Sequence, residues 1–281
     1  MSALAAPYSQ PSIQPARLIA MLRRLEPRFF ALGVLMLAAA LPTAFASLVD
    51  GRQFQGIDVW IKPFKFEMAL VVYTWTLAFF ARFLPAGTTA KVWYHAYVGA
   101  VAAAIVIEMI WVGGAAALGT ASHFNRTPAG DLIYAAMGFA AVFLTSPTAV
   151  YAVLIARNPS TGLPPALRDA VVIGLALVLP LTLATAGTMA AMGSHFVGGS
   201  GSDAGGLVGM GWARDGGDLR VAHFFATHAM HFIPAFGLVW AAAFRPANRL
   251  PVWLFAATFV GFVGFLFAEA LRGEPFLPWL G

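Results

Sequence analysis

The chain has 281 residues, of which 60% are hydrophobic and only 10% are charged, and its net charge is +5. A soluble domain carries about 25% charged residues. This composition therefore excludes an ordinary water-soluble domain. The chain has no cysteine, which excludes disulfides, thiolate metal sites and cysteine nucleophiles. Its basic residues are too scattered to indicate a nucleic-acid partner.

Seven apolar segments are long enough to cross a lipid bilayer, because a spanning helix needs about 20 mostly apolar residues. A polar, proline-containing segment, residues 1–28, precedes them. The predicted spans are residues 29–49, 64–84, 92–118, 132–156, 170–193, 221–244 and 251–271. The sequence therefore predicts an all-α, polytopic membrane helix bundle, with residues 1–28 as an N-terminal segment and residues 29–281 as one transmembrane domain.

The sequence also contains a possible cleavage site in the first span and one long connection between spans. Ala44-Phe45-Ala46 follows the first apolar run with the small-x-small spacing of a signal-peptidase site, and cleavage there would leave six helices. The one long connection, residues 194–220, is rich in glycine and aspartate.

Basic residues are more numerous on the N-terminal side of the predicted bundle. Because cytoplasmic loops carry an excess of Lys and Arg, this bias predicts a cytoplasmic N-terminus and a C-terminus on the outer side. The ten residues on the N-terminal side are Arg17, Arg23, Arg24, Arg28, Arg82, Lys91, Arg157, Arg168, Arg245 and Arg249. The seven on the other side are Arg52, Lys62, Lys65, Arg126, Arg214, Arg220 and Arg272.

Five of the six histidines lie on the outer side or run inward from it, and His95 lies at the inner boundary as an interfacial anchor. Imidazoles within a membrane face a bundle interior or a polar cavity, because lipid solvates them poorly. His228 and His231 are three residues apart and share a helix face. His223 points roughly 140° away from His228 on an ideal helix, and we expect Pro234 to bend that helix.

We predict one outer-side cavity that gathers these histidines with charged neighbours. The histidine set is His123, His195, His223 and His228, with His231 as a less secure member. The charged neighbours are Lys65, Glu67, Glu108, Arg220 and Glu269, of which the first four are candidate catalytic residues.

Three functions are compatible with such a cavity. Imidazole suits Fe, Cu, Zn and haem iron, so the four histidines could hold a transition metal or haem b for redox chemistry or electron transfer with a quinone or a periplasmic partner. Alternatively, Glu108, His228 and His231 could relay protons in a proton-coupled transporter, although the inner half of the bundle carries few ionisable residues. The third function is a Zn-dependent membrane hydrolase, for which the His-Glu-x-x-His signature is absent.

Four sequence blocks between about residues 50 and 234 resemble a family of bacterial multi-pass membrane proteins. The blocks are Lys62-Pro63-Phe64-Lys65-Phe66, Ser122-His123-Phe124-Asn125, His195-Phe196-Val197-Gly198-Gly199, and Gly217-Asp218-Leu219-Arg220 with the following His223-Phe224 and His228-Ala229. The resemblance implies a location in the bacterial inner membrane. It also implies that His123, His195, His223 and His228 form one set, whereas the family has a Gln-like residue at position 231.

Overall fold

The computed structural model describes residues 15–125, 127–244 and 247–280. The predictions for the first 14 residues, and those for Arg126 and Arg245 as loop charges, lie outside the described residues. The helices are α1 (Pro15–Leu25), α2 (Pro27–Val49), α3 (Ile61–Phe80), α4 (Val92–Ala117), α5 (Pro128–Thr145), α6 (Pro147–Ala156), α7 (Pro165–Met192), α8 (Leu219–Thr227), α9 (Ala229–Ala243) and α10 (Leu250–Leu271), with short 3-10 turns at Ala81–Phe83, Thr88–Ala90 and Pro278–Leu280.

The described part of the chain contains six apolar helical segments long enough to cross a membrane. A seventh is present if the bent pair α8 and α9 counts as one span. Large apolar side chains point away from the bundle, and Ile107, Leu132 and Phe139 are 67%, 74% and 81% exposed. Such a surface is unfavourable in water and suits lipid tails. The chain therefore has the build of a multi-pass membrane protein, and each predicted span has a helical counterpart.

The first span is packed into the bundle along α3. The indole of Trp75 donates to the Phe30 carbonyl over 3.2 Å, and Phe29 is fully buried. A Cβ added to Gly33 would lie 2.2 Å from Trp75 Nε1, so the two helices approach as closely as a glycine allows. Cleavage after Ala46 would remove this packing.

The described chain departs from a purely α structure at two short antiparallel ladders. Strand β1 (Gln53–Phe54) pairs with β2 (Ile57–Asp58) before α3. Strand β3 (Phe196–Val197) pairs with β4 (Gly217–Asp218), which closes the long connection into a folded cap. We call the end of the bundle that carries the β3–β4 ladder the loop end. The opposite end, where α3 joins α4 and α6 joins α7, is the turn end.

The sixth span bends by 51° between α8 and α9. The bend lies at His228, whereas the sequence placed it at Pro234, which stays inside α9. A proline ring clashes with the carbonyl four residues earlier, here that of Met230, so the break at His228 lies two residues beyond the direct reach of Pro234. A Cβ added to Gly174 would lie 2.7 Å from Pro234 Cδ and 2.9 Å from the Ala229 carbonyl. Gly174 on α7 therefore lets the start of α9 pack directly against it.

Candidate functional site

Arg220 joins α8 to the folded cap at the loop end. Its Nη2 lies 2.5 Å from Asp203 Oδ1 and 2.6 Å from Asp218 Oδ2, and its Nε donates to both Asp218 oxygens. Asp218 is 1% exposed and also accepts from the Ala213 amide over 3.0 Å. Lys65 Nζ donates to the Met210 carbonyl over 2.8 Å. Two predicted site residues, Lys65 and Arg220, therefore bind the cap.

Asp203 is a residue of this network that the sequence did not indicate. It lies in the middle of the glycine-rich connection, 17 positions before Arg220, where no helical period brings it close. The one feature of the sequence that could have indicated Asp203 is that acidic residues are rare in this chain. Its 7% exposure shows that the connection folds back over the bundle.

His195 lies under the cap as a neutral imidazole. Burial lowers the pKa of His195 to about 3, and the positive charge of Arg220 acts in the same direction. Its Nε2 lies 4.0 Å from Asp203 Oδ1 and is a buried nitrogen without a hydrogen-bond partner among the described residues. At neutral pH this approach is a polar contact and not an ion pair, because the imidazole carries no charge.

His123 lies beside His195 among aromatic rings. Its Nδ1 and the Ser122 hydroxyl are 3.0 Å apart, and its ring centroid lies 5.8 Å from that of Phe66. Burial lowers the pKa of His123 to about 3, and the positive charge of Lys62 acts in the same direction, with His195 and His223 as further electrostatic neighbours. The predicted neighbours His123, His195 and His223 therefore lie within electrostatic reach of one another.

His223 bonds to α7 through a threonine. Its Nδ1 lies 3.0 Å from Thr185 Oγ1. The Thr185 hydroxyl donates to the Leu181 carbonyl over 3.0 Å, so its oxygen accepts from an Nδ1–H of His223. The neutral imidazole then keeps an unprotonated Nε2.

His228 and His231 form a directed series with Thr76 in the middle of the bundle. Thr76 on α3 donates to the Val72 carbonyl over 2.7 Å, so its oxygen accepts from His231 Nε2, 3.0 Å away. A neutral His231 then has a bare Nδ1, which accepts from His228 Nδ1 over 3.1 Å. With this assignment of the ring protons, His228 Nε2 is unprotonated.

His231 is therefore the direct partner of His228, although the sequence ranked it as the less secure member. The shared face predicted from the i, i+3 spacing is present in the structure, with ring centroids 5.0 Å apart. His223 faces a different helix, as its five-residue offset from His228 predicted. Thr76 is the partner of His231, and Thr185 is the partner of His223. The sequence did not indicate either threonine as a site residue, because threonine is common in apolar helices.

The predicted carboxylates lie apart from the histidines. Glu67 is 5% exposed; its Oε1 accepts from Thr43 over 2.9 Å, and its Oε2 is buried without a partner among the described residues. Glu108 is half-buried on α4 and has no ion pair or hydrogen bond in the described part of the chain. Glu269 lines a cleft of about 190 Å³ at the loop end with Asp218.

A larger cleft opens near the histidines at the loop end. It lies between β1–β2, the start of α3 and the end of α4. Its polar lining includes Asp58, Lys62, Ser122 and Asp203. Ser122 also bonds to His123, so the cleft lies one residue away from that histidine.

The histidines do not converge on one point. Within residues 15–125, 127–244 and 247–280, no three His, Asp or Glu side chains are grouped so that they could hold a metal ion. His123, His223 and His228 each bond to a different partner: Ser122, Thr185 and His231. They form a row that descends from the cap into the bundle. Binding of a metal or haem b by the four predicted residues stays a prediction.

Comparisons with family models, with curated proteins and with solved structures give no match. The interpretation of the site therefore depends on its geometry.

Proposed function

We propose that the protein is a proton-coupled transporter of the bacterial inner membrane, in which His228 and His231 relay protons. The N-terminus is cytoplasmic and the loop end periplasmic, as the distribution of Lys and Arg supports. Protons enter at the loop end past His123 and His195 and reach the relay through His223.

The observation that carries the proposal is the series His228–His231–Thr76. One hydrogen bond of 3.1 Å joins His228 to His231, and a second of 3.0 Å joins His231 to the Thr76 hydroxyl. Each imidazole can take a proton on one nitrogen while it releases one from the other. Ionisable side chains at this depth are typical of proton pathways. Glu108 was predicted as a third member, and it remains only a candidate because no bond joins it to the histidines.

The test is proton flux into liposomes that contain the purified protein and a trapped pH-sensitive dye, driven by an imposed potassium potential. We expect His231→Gln and His228→Gln to lower the rate about 100-fold, the scale of a lost acid–base group. Thr76→Val removes the acceptor of His231 Nε2 and is expected to lower the rate by less.

Thr188→Val is the matched control, because Thr188 also donates to a carbonyl four residues earlier, over 2.9 Å, and has no histidine partner among the described residues. We expect it to keep the wild-type rate. Wild-type flux in His231→Gln, or no flux above empty liposomes in the native protein, would overturn the proposal.

A second candidate function is a metal site formed by His228 and His231. With bonds of about 2.0–2.1 Å, two nitrogens on one ion lie roughly 3–3.4 Å apart, and the two Nδ1 atoms are separated by 3.1 Å. An ion there would keep open positions for redox chemistry with a quinone or a periplasmic partner. Axial haem ligation would need a different arrangement, since imidazoles in contact cannot lie on opposite faces of a porphyrin.

Elemental analysis and a visible spectrum of the purified protein test this candidate. It predicts about one metal ion per chain, lost in His231→Gln and kept in Thr188→Val. A protein with neither metal nor a visible absorption band contradicts it.

A further inference from the structure

Glu26 is a buried carboxylate at the turn end, far along the chain from the histidines. It is 0% exposed. Its Oε1 accepts from the Arg28 amide over 3.1 Å and lies 3.2 Å from Arg28 Nη1. Its Oε2 has no hydrogen-bond partner among the described residues. A buried oxygen without a partner is unfavourable, and this one has free capacity to accept a proton from a neighbouring hydroxyl.

Two buried tyrosines lie next to this carboxylate. The hydroxyls of Tyr94 and Tyr151 are 2.5 Å apart, and both side chains are fully buried. Glu26 interacts electrostatically with each of them. A carboxylate with a spare oxygen can accept or return a hydroxyl proton.

The polar groups continue from these tyrosines toward the histidines. Tyr97, one turn along α4, lies 2.5 Å from the Ser146 hydroxyl. Tyr73 on α3 has Tyr97 and Tyr151 as electrostatic neighbours. Tyr73 also shares a helix face with Thr76, three residues later, which is the partner of His231. Hydroxyl groups therefore occupy the part of the bundle between Glu26 and the histidine row.

We propose that Glu26 is the turn-end proton port and that Tyr94 and Tyr151 connect it to the relay. This inference rests on the proposed proton relay. It also answers the sequence-based objection that the inner half carries few ionisable residues, because Glu26 is buried there. Arg28, with a side chain 30% exposed, links Glu26 to the surface.

The transfer conserves protons at each step. A proton from water forms an O–H bond on Glu26. Tyr94 accepts this proton on its oxygen while its own O–H bond breaks, and the released proton passes to Tyr151. Tyr151 in turn gives up its own proton, which water carries past Tyr73 to an unprotonated imidazole nitrogen of the histidine pair. Each tyrosine then keeps one proton, the imidazole holds the transferred proton, and the carboxylate returns to its ionised form.

The liposome assay with Glu26→Gln tests the port. Glutamine keeps the volume and an oxygen for the Arg28 amide but cannot carry a proton, so we expect flux to fall about tenfold or more. Tyr94→Phe is expected to act in the same direction. Glu274→Gln, at an exposed loop-end carboxylate, is the matched control and is expected to keep the wild-type rate. Melting and gel filtration show whether each variant folds.

The outcomes separate the two proposals. If His231→Gln blocks flux and a folded Glu26→Gln does not, the port is wrong and the relay stands. If the wild-type protein carries no protons, both are wrong.

Discussion

Replacement of Arg220 by alanine is expected to destabilise the loop end strongly. The change removes the guanidinium that lies 2.5 and 2.6 Å from Asp203 and Asp218 and leaves two carboxylates that are only 7% and 1% exposed. Removal of one partner from a buried charge pair costs about 3–5 kcal/mol, because the remaining charge is uncompensated. At about 2–4 °C per kcal/mol for a large domain, the Tm should fall by roughly 6–20 °C.

Thermal unfolding in detergent measures this loss, and Arg52→Ala is its control. Arg52 lies 2.6 Å from Asp50, but these side chains are 49% and 21% exposed. The shortest N–O distance is nearly the same, but the Arg52 pair is more exposed and has one carboxylate instead of two, so we expect little change in Tm from Arg52→Ala, as for other surface pairs. Arg220→Lys should give an intermediate Tm, because an ammonium cannot reproduce the guanidinium fork. Equal Tm values for Arg220→Ala and Arg52→Ala would refute the reasoning.

Two further variants address the region around the cap. The pKa of His195 is lowered to about 3, whereas an unfolded histidine titrates near 6.5, so between these values only the unfolded chain binds the proton. Stability should therefore fall as pH decreases from 7 to 4, by up to about 1.4 kcal/mol per pH unit, and an undiminished slope in His195→Gln would contradict this. A Cβ on Gly217 would lie 2.0 Å from the Ala270 carbonyl oxygen, so Gly217→Ala should lower the folded yield in gel filtration. Gly113→Ala, with no atom within 4 Å, should not.

The spans could be predicted because lipid imposes one requirement along the whole chain. A run of apolar residues long enough for the hydrocarbon layer must be helical to satisfy its backbone, and the predicted segment 92–118 differs from Val92–Ala117 by one residue. The start of α7 at Pro165 was missed by five residues, because Arg168 and Asp169 interrupt the apolar run. The proline at its first position was the better signal.

The partners in the site could not be predicted in the same way. The contact of Lys65 with Met210 joins residues 145 positions apart, and no local period encodes it. Glu26 lies in sequence just before the first predicted span, where nothing in the apolar pattern indicates a buried acid. The structure buries it, since α1 folds back against α2 and α3.

The length of α7 indicates how strongly proton transfer between the histidines would respond to the membrane potential. Its 28 residues extend about 42 Å at 1.5 Å per residue, against a hydrocarbon layer of about 30 Å. With equal overhangs, Thr185 lies roughly 4 Å below the loop-end boundary, and its partner His223 lies at the same depth. His231, eight residues further on, then lies near the midplane. A proton that moves from His223 to His231 would cross close to half of the membrane field, so its transfer would respond to voltage by roughly 1 kcal/mol per 100 mV.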